Sequence, residues 1–118
     1  MEEDASARAK AREASMKIRK YPQAEQDIAD AVTHYARESG NLSGRFLQEV
    51  EAVIVRIKVM PHSGSLRFAR ELDIQDLRAY SLHNFPYLIF YIGSGKYIDI
   101  VRVLHSSRDI YHLPFGSD

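Results

Sequence analysis

Four side chains that can bind phosphate or transfer protons lie close together near the C-terminal end of the sequence: His105, Arg108, Tyr111 and His112. Arginine binds phosphate, and histidine or tyrosine acts as a general acid or base, so these residue types are those of a site that cleaves RNA. Such cleavage needs an acid, a base and clustered cations around one phosphate. The group is therefore a candidate catalytic site.

The cations that would complete such a site are few. The loop before the predicted second strand has Arg67 and Arg70 but no lysine. Arg78 and Arg102 lie in predicted strands, where they either contact a target or form solvated ion pairs with nearby carboxylates, which contribute little to stability. The catalytic set is incomplete, and no catalytic role is assigned to these arginines.

Composition argues against several other kinds of chemistry. The chain has no cysteine, its five histidines lack metal-ligand spacing, and its glycines form no phosphate-binding loop, so neither a metal nor a cofactor is predicted. The formal net charge of 0 argues against binding to nucleic acid through bulk positive charge. No apolar run is long enough to cross a bilayer and residues 1–15 are charged, so a cytoplasmic protein is expected.

The pattern of apolar residues predicts the elements that position these side chains. Pro22 opens a helix that runs to about Ser39, and Gly40 supplies a left-handed stop. A second helix follows a cap at Asn41 and ends at Met60. Alternation predicts strands at residues 17–21, 77–82, 87–92 and 97–104.

The order strand, helix, helix, strand, strand, strand predicts an α+β fold. In this fold an antiparallel helical hairpin packs on one face of an antiparallel β-sheet. A single domain is expected at residues 16–118, because a chain of 118 residues is close to the usual size of one core. Residues 1–15 are rich in alanine and charge, and we predict that they form a disordered or frayed N-terminal extension.

The third predicted strand is apolar on both faces. Alternation puts Tyr87, Ile89 and Tyr91 on one face, and the intervening residues, which are also apolar, on the other. The helical hairpin can cover only one of the two faces. The other face is expected to remain an exposed apolar patch, which is typical of a surface that binds a partner.

Several segments occur in a characteristic order along the chain. AEQDI at 24–28 opens the first helix, GRFLQEVEAVIVRI at 44–57 forms the second, and Pro61 and Gly64 follow it. IVRVLHSSRDI at 100–110 forms the last strand and its exit. Together these segments resemble the ParE-type toxins of the RelE/ParE superfamily. Because the resemblance spans nearly the whole predicted domain, it implies a RelE/ParE-like fold.

The resemblance implies the toxin of a type II toxin-antitoxin system. Such a toxin is held inactive in a hetero-oligomer with a cognate antitoxin, ParD-like or related, and its expected target is DNA gyrase. The residues expected to contact the target are Arg78, Arg102, His105, Arg108 and Tyr111. Those expected to contact the antitoxin are Tyr87, Ile89 and Tyr91.

Two alternatives stay open at this point. The first is a ribosome-dependent messenger RNA endoribonuclease of the RelE type. The resemblance then implies Arg108 as the phosphate ligand, with His105, His112 and Tyr111 as the candidate acid and base groups. The second is a degenerate family member that binds an antitoxin but is no longer toxic. The fold alone cannot separate these activities, since function depends on the site and not on the scaffold.

Overall fold

A computed structural model describes residues 16–111 and 115. The elements in this part of the chain are β1 (Lys17–Lys20), α1 (Pro22–Ala36), α2 (Gly40–Val59), α3 (Arg67–Glu71), β2 (Arg78–Ser81), β3 (Tyr87–Ser94) and β4 (Tyr97–His105). The α+β class is confirmed, as is the succession of one strand, two long helices and three strands. The extension predicted at residues 1–15 lies outside the described residues.

The four strands form one sheet in the order β1-β4-β3-β2. The last three strands make the expected antiparallel meander, whereas β1 runs parallel to β4, with Lys17 beside Tyr97 and Lys20 beside Ile100. The sheet is therefore mixed, which corrects the prediction of a wholly antiparallel sheet. Alternation of apolar residues determines which faces of a strand are buried, but it does not determine the direction of the strand that lies beside it.

The turn between the two long helices differs from the prediction. α1 ends at Ala36 without a left-handed stop, and Gly40 is already the first residue of α2. The cap of α2 is Ser39, whose hydroxyl oxygen accepts the backbone N–H groups of Asn41 and Leu42 at 3.1 and 3.3 Å. A serine at this position satisfies N–H groups that have no partner inside the helix, so the predicted cap at Asn41 is not needed.

One apolar core lies between the helical hairpin and the sheet. α1 contributes the small buried residues Ala24 and Ala31, which let the helix approach the strands closely. α2 contributes the larger side chains of the predicted stripe: Phe46, Val50, Val53, Ile54 and Ile57. The sequence pattern of the hairpin therefore predicted correctly which helical faces are buried.

The opposite face of the sheet is covered as well. α3, a helix of five residues that the sequence analysis assigned to a loop, packs the ring of Phe68 against that of Phe90 with centroids 5.3 Å apart. The segment after β4 adds Ile110, which is buried, and Phe115, whose ring centroid lies 5.0 Å from that of Phe90. The predicted exposed apolar patch on this face is therefore absent, because α3 and the segment after β4 cover it.

A β-bulge interrupts the pairing of β3 with β4. The register shifts between Phe90 and Tyr91, so that Val101 has no residue opposite it. An extra residue on one strand reverses the alternation of faces beyond it. As a result Ile100 and Val103, which are three residues apart, both pack in the core beneath the helical hairpin.

Candidate functional site

The predicted site residues that lie close together are on the turn that follows β4. The backbone N–H of Ser106 donates to the carbonyl oxygen of Pro86 at 2.8 Å, which ties this turn to the β2–β3 connection. The backbone N–H of Ser107 donates to Nδ1 of His105 at 3.2 Å, so the ring proton of the neutral histidine belongs on Nε2. This anchored turn holds Arg108 in an exposed position.

A cavity of about 190 Å³ lies between the turn and α1. Its lining combines two cation-forming side chains, a phenol and three carboxylates with apolar residues: Asp27, Asp30, Ala31, His34, Tyr87, Val103, Leu104, Arg108 and Asp109. The cavity is small and its charge is mixed. Three carboxylates beside the arginine make it a poor site for a polyanion, because phosphate groups bind where positive charge predominates.

The environment of His105 disfavours the protonated form of its imidazole. Burial lowers the pKa of His105, the positive charge of Arg108 lowers it further, and Asp109 partly opposes the shift. The ring packs edge-on against Tyr87, with centroids 5.3 Å apart. The unfolded chain has the higher pKa for this histidine, so it takes up the proton first as the pH falls. The stability that neutral His105 contributes is therefore present above the ordinary pKa of about 6.5 and is lost as the pH falls below that value.

Removal of the Arg108 charge is expected to raise the pKa of His105. In the variant Arg108→Ala the pKa should move toward the ordinary value of histidine without reaching it, because the larger cause, burial, persists. An NMR titration of the imidazole resonances measures the shift. Arg37→Ala, which removes an exposed arginine at the end of α1, is the control and should leave the pKa unchanged. An unchanged pKa in Arg108→Ala would contradict the coupling.

Tyr111 connects the turn to α3. Its hydroxyl donates a hydrogen bond to Glu71. This bond is the largest cause of a lowered pKa of the Glu71 carboxyl, and the hydrogen bond from Arg67 is the second. The same bond raises the pKa of Tyr111. The tyrosine remains 61% exposed, so it is available to a partner while its hydroxyl is held in place. His112 lies outside the described residues.

Arg102 does not belong to this surface. Its side chain is only 2% exposed, and its Nε and Nη2 atoms donate to the two carboxylate oxygens of Asp27 at 2.7 and 2.8 Å. Asp27 also accepts the backbone N–H of Val103 at 3.0 Å. This bidentate pair joins α1 to β4, so the prediction that Arg102 contacts a target is replaced by a structural role.

Arg78 is also occupied within the fold. Its Nη1 donates to the carbonyl oxygens of His62 and Gly64 at 3.0 and 2.8 Å. The hydroxyl of Tyr91 holds the same loop, since it donates to Pro61 O at 2.9 Å and accepts the N–H of Gly64 at 2.8 Å. The ion pair suggested for Arg78 is not what its contacts show, because it binds loop carbonyls rather than a carboxylate. Its contact with a target stays a prediction.

The three residues predicted to contact an antitoxin do not lie on an open face. Tyr87, Ile89 and Tyr91 are 7%, 0% and 1% exposed and belong to the core beneath the helical hairpin. The alternation was predicted correctly, but it does not show which face the helices cover. A partner surface has to be sought elsewhere.

Two residues beside the turn were not recognised from the sequence. His34 and Asp27 both belong to α1, and both line the cavity with Arg108. They are seven positions apart, which puts them on one face of a helix, next to the apolar stripe. A polar pair at that spacing was the signal that could have identified them.

The described residues contain neither a cluster of metal ligands nor a membrane-spanning helix. No three histidine, aspartate or glutamate side chains there come together as metal ligands. Within the same part of the chain, no helix has the length and apolar character that a membrane span requires.

Comparison with known proteins matches the chain to a family model and its fold to a solved structure. The family model described as the ParE toxin of the type II toxin-antitoxin system parDE matches residues 18–110, well over half of the chain. A solved chain of the chromosomal ParDE toxin-antitoxin system from P. aeruginosa is 18% identical and superposes with a TM-score of 0.64 over 78% of this chain and 97% of that one. At this identity the likeness shows the fold alone. No curated protein sequence matches.

Proposed function

Because the chain belongs to the ParE toxin family of type II toxin-antitoxin systems, we propose that it inhibits growth by poisoning DNA gyrase and is neutralised by a cognate antitoxin. The observation that supports a binding role is the surface of the turn after β4. Arg108 and Tyr111 are exposed there on an anchored backbone. Arginine and tyrosine are the residue types that contribute most to protein–protein binding when they are held rigidly.

The distribution of the arginines supports a protein target over RNA cleavage. A cleavage site needs several cations around one phosphate. Arg102 is buried in its pair with Asp27 and is not available to a substrate, and Nη1 of Arg78 is bound to two loop carbonyls. Arg108 borders a cavity with three carboxylates. The turn therefore offers one cation beside several carboxylates. Such a surface is better suited to binding a protein than to binding a phosphate.

One observation favours the endoribonuclease alternative and defines its residues. His34 and Arg108 line the same cavity, and His105 flanks Arg108 on the turn. A neutral imidazole beside an arginine is a reasonable general base. The same side chains thus serve either function, and the target must be identified by experiment.

The test incubates supercoiled plasmid, gyrase and ATP with the free protein, beside a translation reaction examined for cleaved messenger. Accumulation of linear DNA with intact messenger is the expected result. Arg108→Ala should raise the protein concentration needed for half-maximal DNA cleavage about 30-fold, the effect of a contact worth about 2 kcal/mol. Arg37→Ala, at the exposed end of α1, is the matched control.

Each of the other outcomes has a definite meaning. Cleaved messenger with unaffected gyrase would replace the proposal with the endoribonuclease. If both substrates stay intact and expression of the free protein is harmless, the chain is a non-toxic member of its family. Equal potency of Arg108→Ala and the parent protein would remove the turn from the target surface.

A further inference from the structure

The outward face of α2 carries an apolar strip that is open to solvent. Six large apolar side chains are exposed among the described residues, and four of them belong to α2 or to its C-terminal cap: Leu47, Val55, Val59 and Met60. Val55 is 60% exposed, and Val59, one helical turn further along, is 53% exposed. A contiguous apolar patch of this kind is typical of a surface that binds another protein.

The helical period shows where this strip points. With 3.6 residues per turn, Val55 lies on the side of α2 opposite the buried stripe, and Ala52 and Val59 lie beside it. Gln48 lies on the same outward line, about two turns before Val55. Ala52 is exposed and small, so it leaves a depression next to Val55. A larger apolar side chain of a partner helix can fill that depression.

Two opposite charges lie along one flank of the strip. Glu51 and Lys58 are about two helical turns apart, with Val55 between them. The side chain of Glu51 is 57% exposed, and its one ion pair is with Lys20 at 3.7 Å, a surface pair of the kind that contributes little to stability. Among the described residues, Lys58 has no carboxylate partner. Both charges are therefore available to a partner.

A second copy of the same helix, running antiparallel, has the complementary surface. With a two-fold axis close to Val55, Glu51 of each copy lies opposite Lys58 of the other, and Val59 of each copy lies over Ala52 of the other. The two Val55 side chains meet at the axis. Such an interface is self-complementary, as two-fold symmetry requires. A parallel pair would instead put Glu51 opposite Glu51 and Lys58 opposite Lys58, which is unfavourable.

We propose that the free protein forms a symmetric dimer through antiparallel pairing of α2. The helix has 20 residues. One pair of such helices buries an area at the low end of specific interfaces, roughly 1,200 Å² or less. The dimer is therefore weak, with a dissociation constant on the order of 10 μM. This inference does not depend on gyrase as the target.

Sedimentation equilibrium of the free protein over a wide range of concentrations measures the association. The mass should rise from 13.5 kDa at low concentration toward twice that value. Val55→Glu puts two carboxylates together at the axis and should keep the protein monomeric. Circular dichroism should show this variant folded, because Val55 is exposed in the monomer. A parent protein that is monomeric at every concentration would leave this face to a different protein and overturn the proposal.

Charge reversal tests the antiparallel arrangement. Glu51→Lys alone, or Lys58→Glu alone, puts like charges opposite each other and should raise the dissociation constant about tenfold or more. The double variant Glu51→Lys, Lys58→Glu restores opposite charges across the axis and should dimerise as the parent protein does. If the double variant is as weak as either single variant, the two residues do not face each other.

Disulfide cross-linking locates the axis. The chain has no cysteine, so one introduced cysteine is its only thiol. Val55→Cys places two thiols at the axis, within the distance that a disulfide spans, and should give a covalent dimer under mild oxidation. Gln48→Cys is the matched control: it is exposed on the same face, but antiparallel pairing separates its two copies by roughly 20 Å along the helices. Equal cross-linking at the two positions would overturn the antiparallel pairing.

Discussion

Replacement of Arg102 with leucine is expected to lower the free energy of unfolding by about 3–5 kcal/mol, the usual cost of removing one partner from a buried ion pair. The Asp27 side chain is only 9% exposed, so its carboxylate would lose both arginine hydrogen bonds without regaining water. Of the hydrogen bonds described for this carboxylate, that from the backbone N–H of Val103 would remain. Urea denaturation followed by circular dichroism measures the loss.

The double variant Asp27→Leu, Arg102→Leu is the informative control. It removes both charges and fills the space with apolar groups, so much of the lost stability should return. Arg108→Leu, on the exposed turn, should stay within about 0.5 kcal/mol of the parent protein. If the Arg102→Leu protein keeps its stability but loses its toxicity, Arg102 contacts the target instead.

Replacement of Gly64 with alanine is expected to lower the free energy of unfolding by about 2–4 kcal/mol, from overpacking and lost hydrogen bonds. A Cβ atom at this position would lie 2.5 Å from the hydroxyl oxygen of Tyr91 and 2.8 Å from its Cε1. The ring is buried in the core and cannot move aside. The hydrogen bonds that hold the loop at Pro61 and Gly64 would break together.

Gly44 provides a matched comparison. It lies within α2, and a Cβ atom there meets no heavy atom within 4 Å. Gly44→Ala should therefore stabilise the protein by about 0.5–1 kcal/mol, since alanine costs less conformational entropy in a helix than glycine. If both alanine variants melt at the same temperature as the parent, Tyr91 does not restrain the loop in the way described.

The succession of elements was predictable because the long elements carry strong periodic signals. The stripe from Phe46 to Ile57 is buried as its spacing indicates. α3 was not predicted, because five residues are too few to show a helical period. The parallel pairing of β1 was not predictable either, since Arg19 and Asp99 are 80 positions apart and neither local sequence specifies the other.

The site was predictable only where its residues are neighbours in sequence. His105, Arg108 and Tyr111 come together because one short turn carries them. Arg102 was misassigned because its partner, Asp27, belongs to a helix 75 positions away. Its apolar neighbours in β4 were a sign of burial that the sequence analysis did not use. Distant pairings of this kind depend on the assembled fold.

The position of β4 within the sheet determines when the sheet can close during synthesis. Of the strands in the described residues, β4 is made last, yet it lies between β1 and β3 and pairs with both. In a nascent chain without β4, β1 has no neighbouring strand to pair with. The core beneath the helical hairpin also lacks the residues that β4 contributes. At about 5–20 residues per second, the ribosome needs roughly 0.5–2 seconds to make the nine residues of that strand. β2 and β3 can pair before that, but the four-stranded sheet cannot close until β4 has been made.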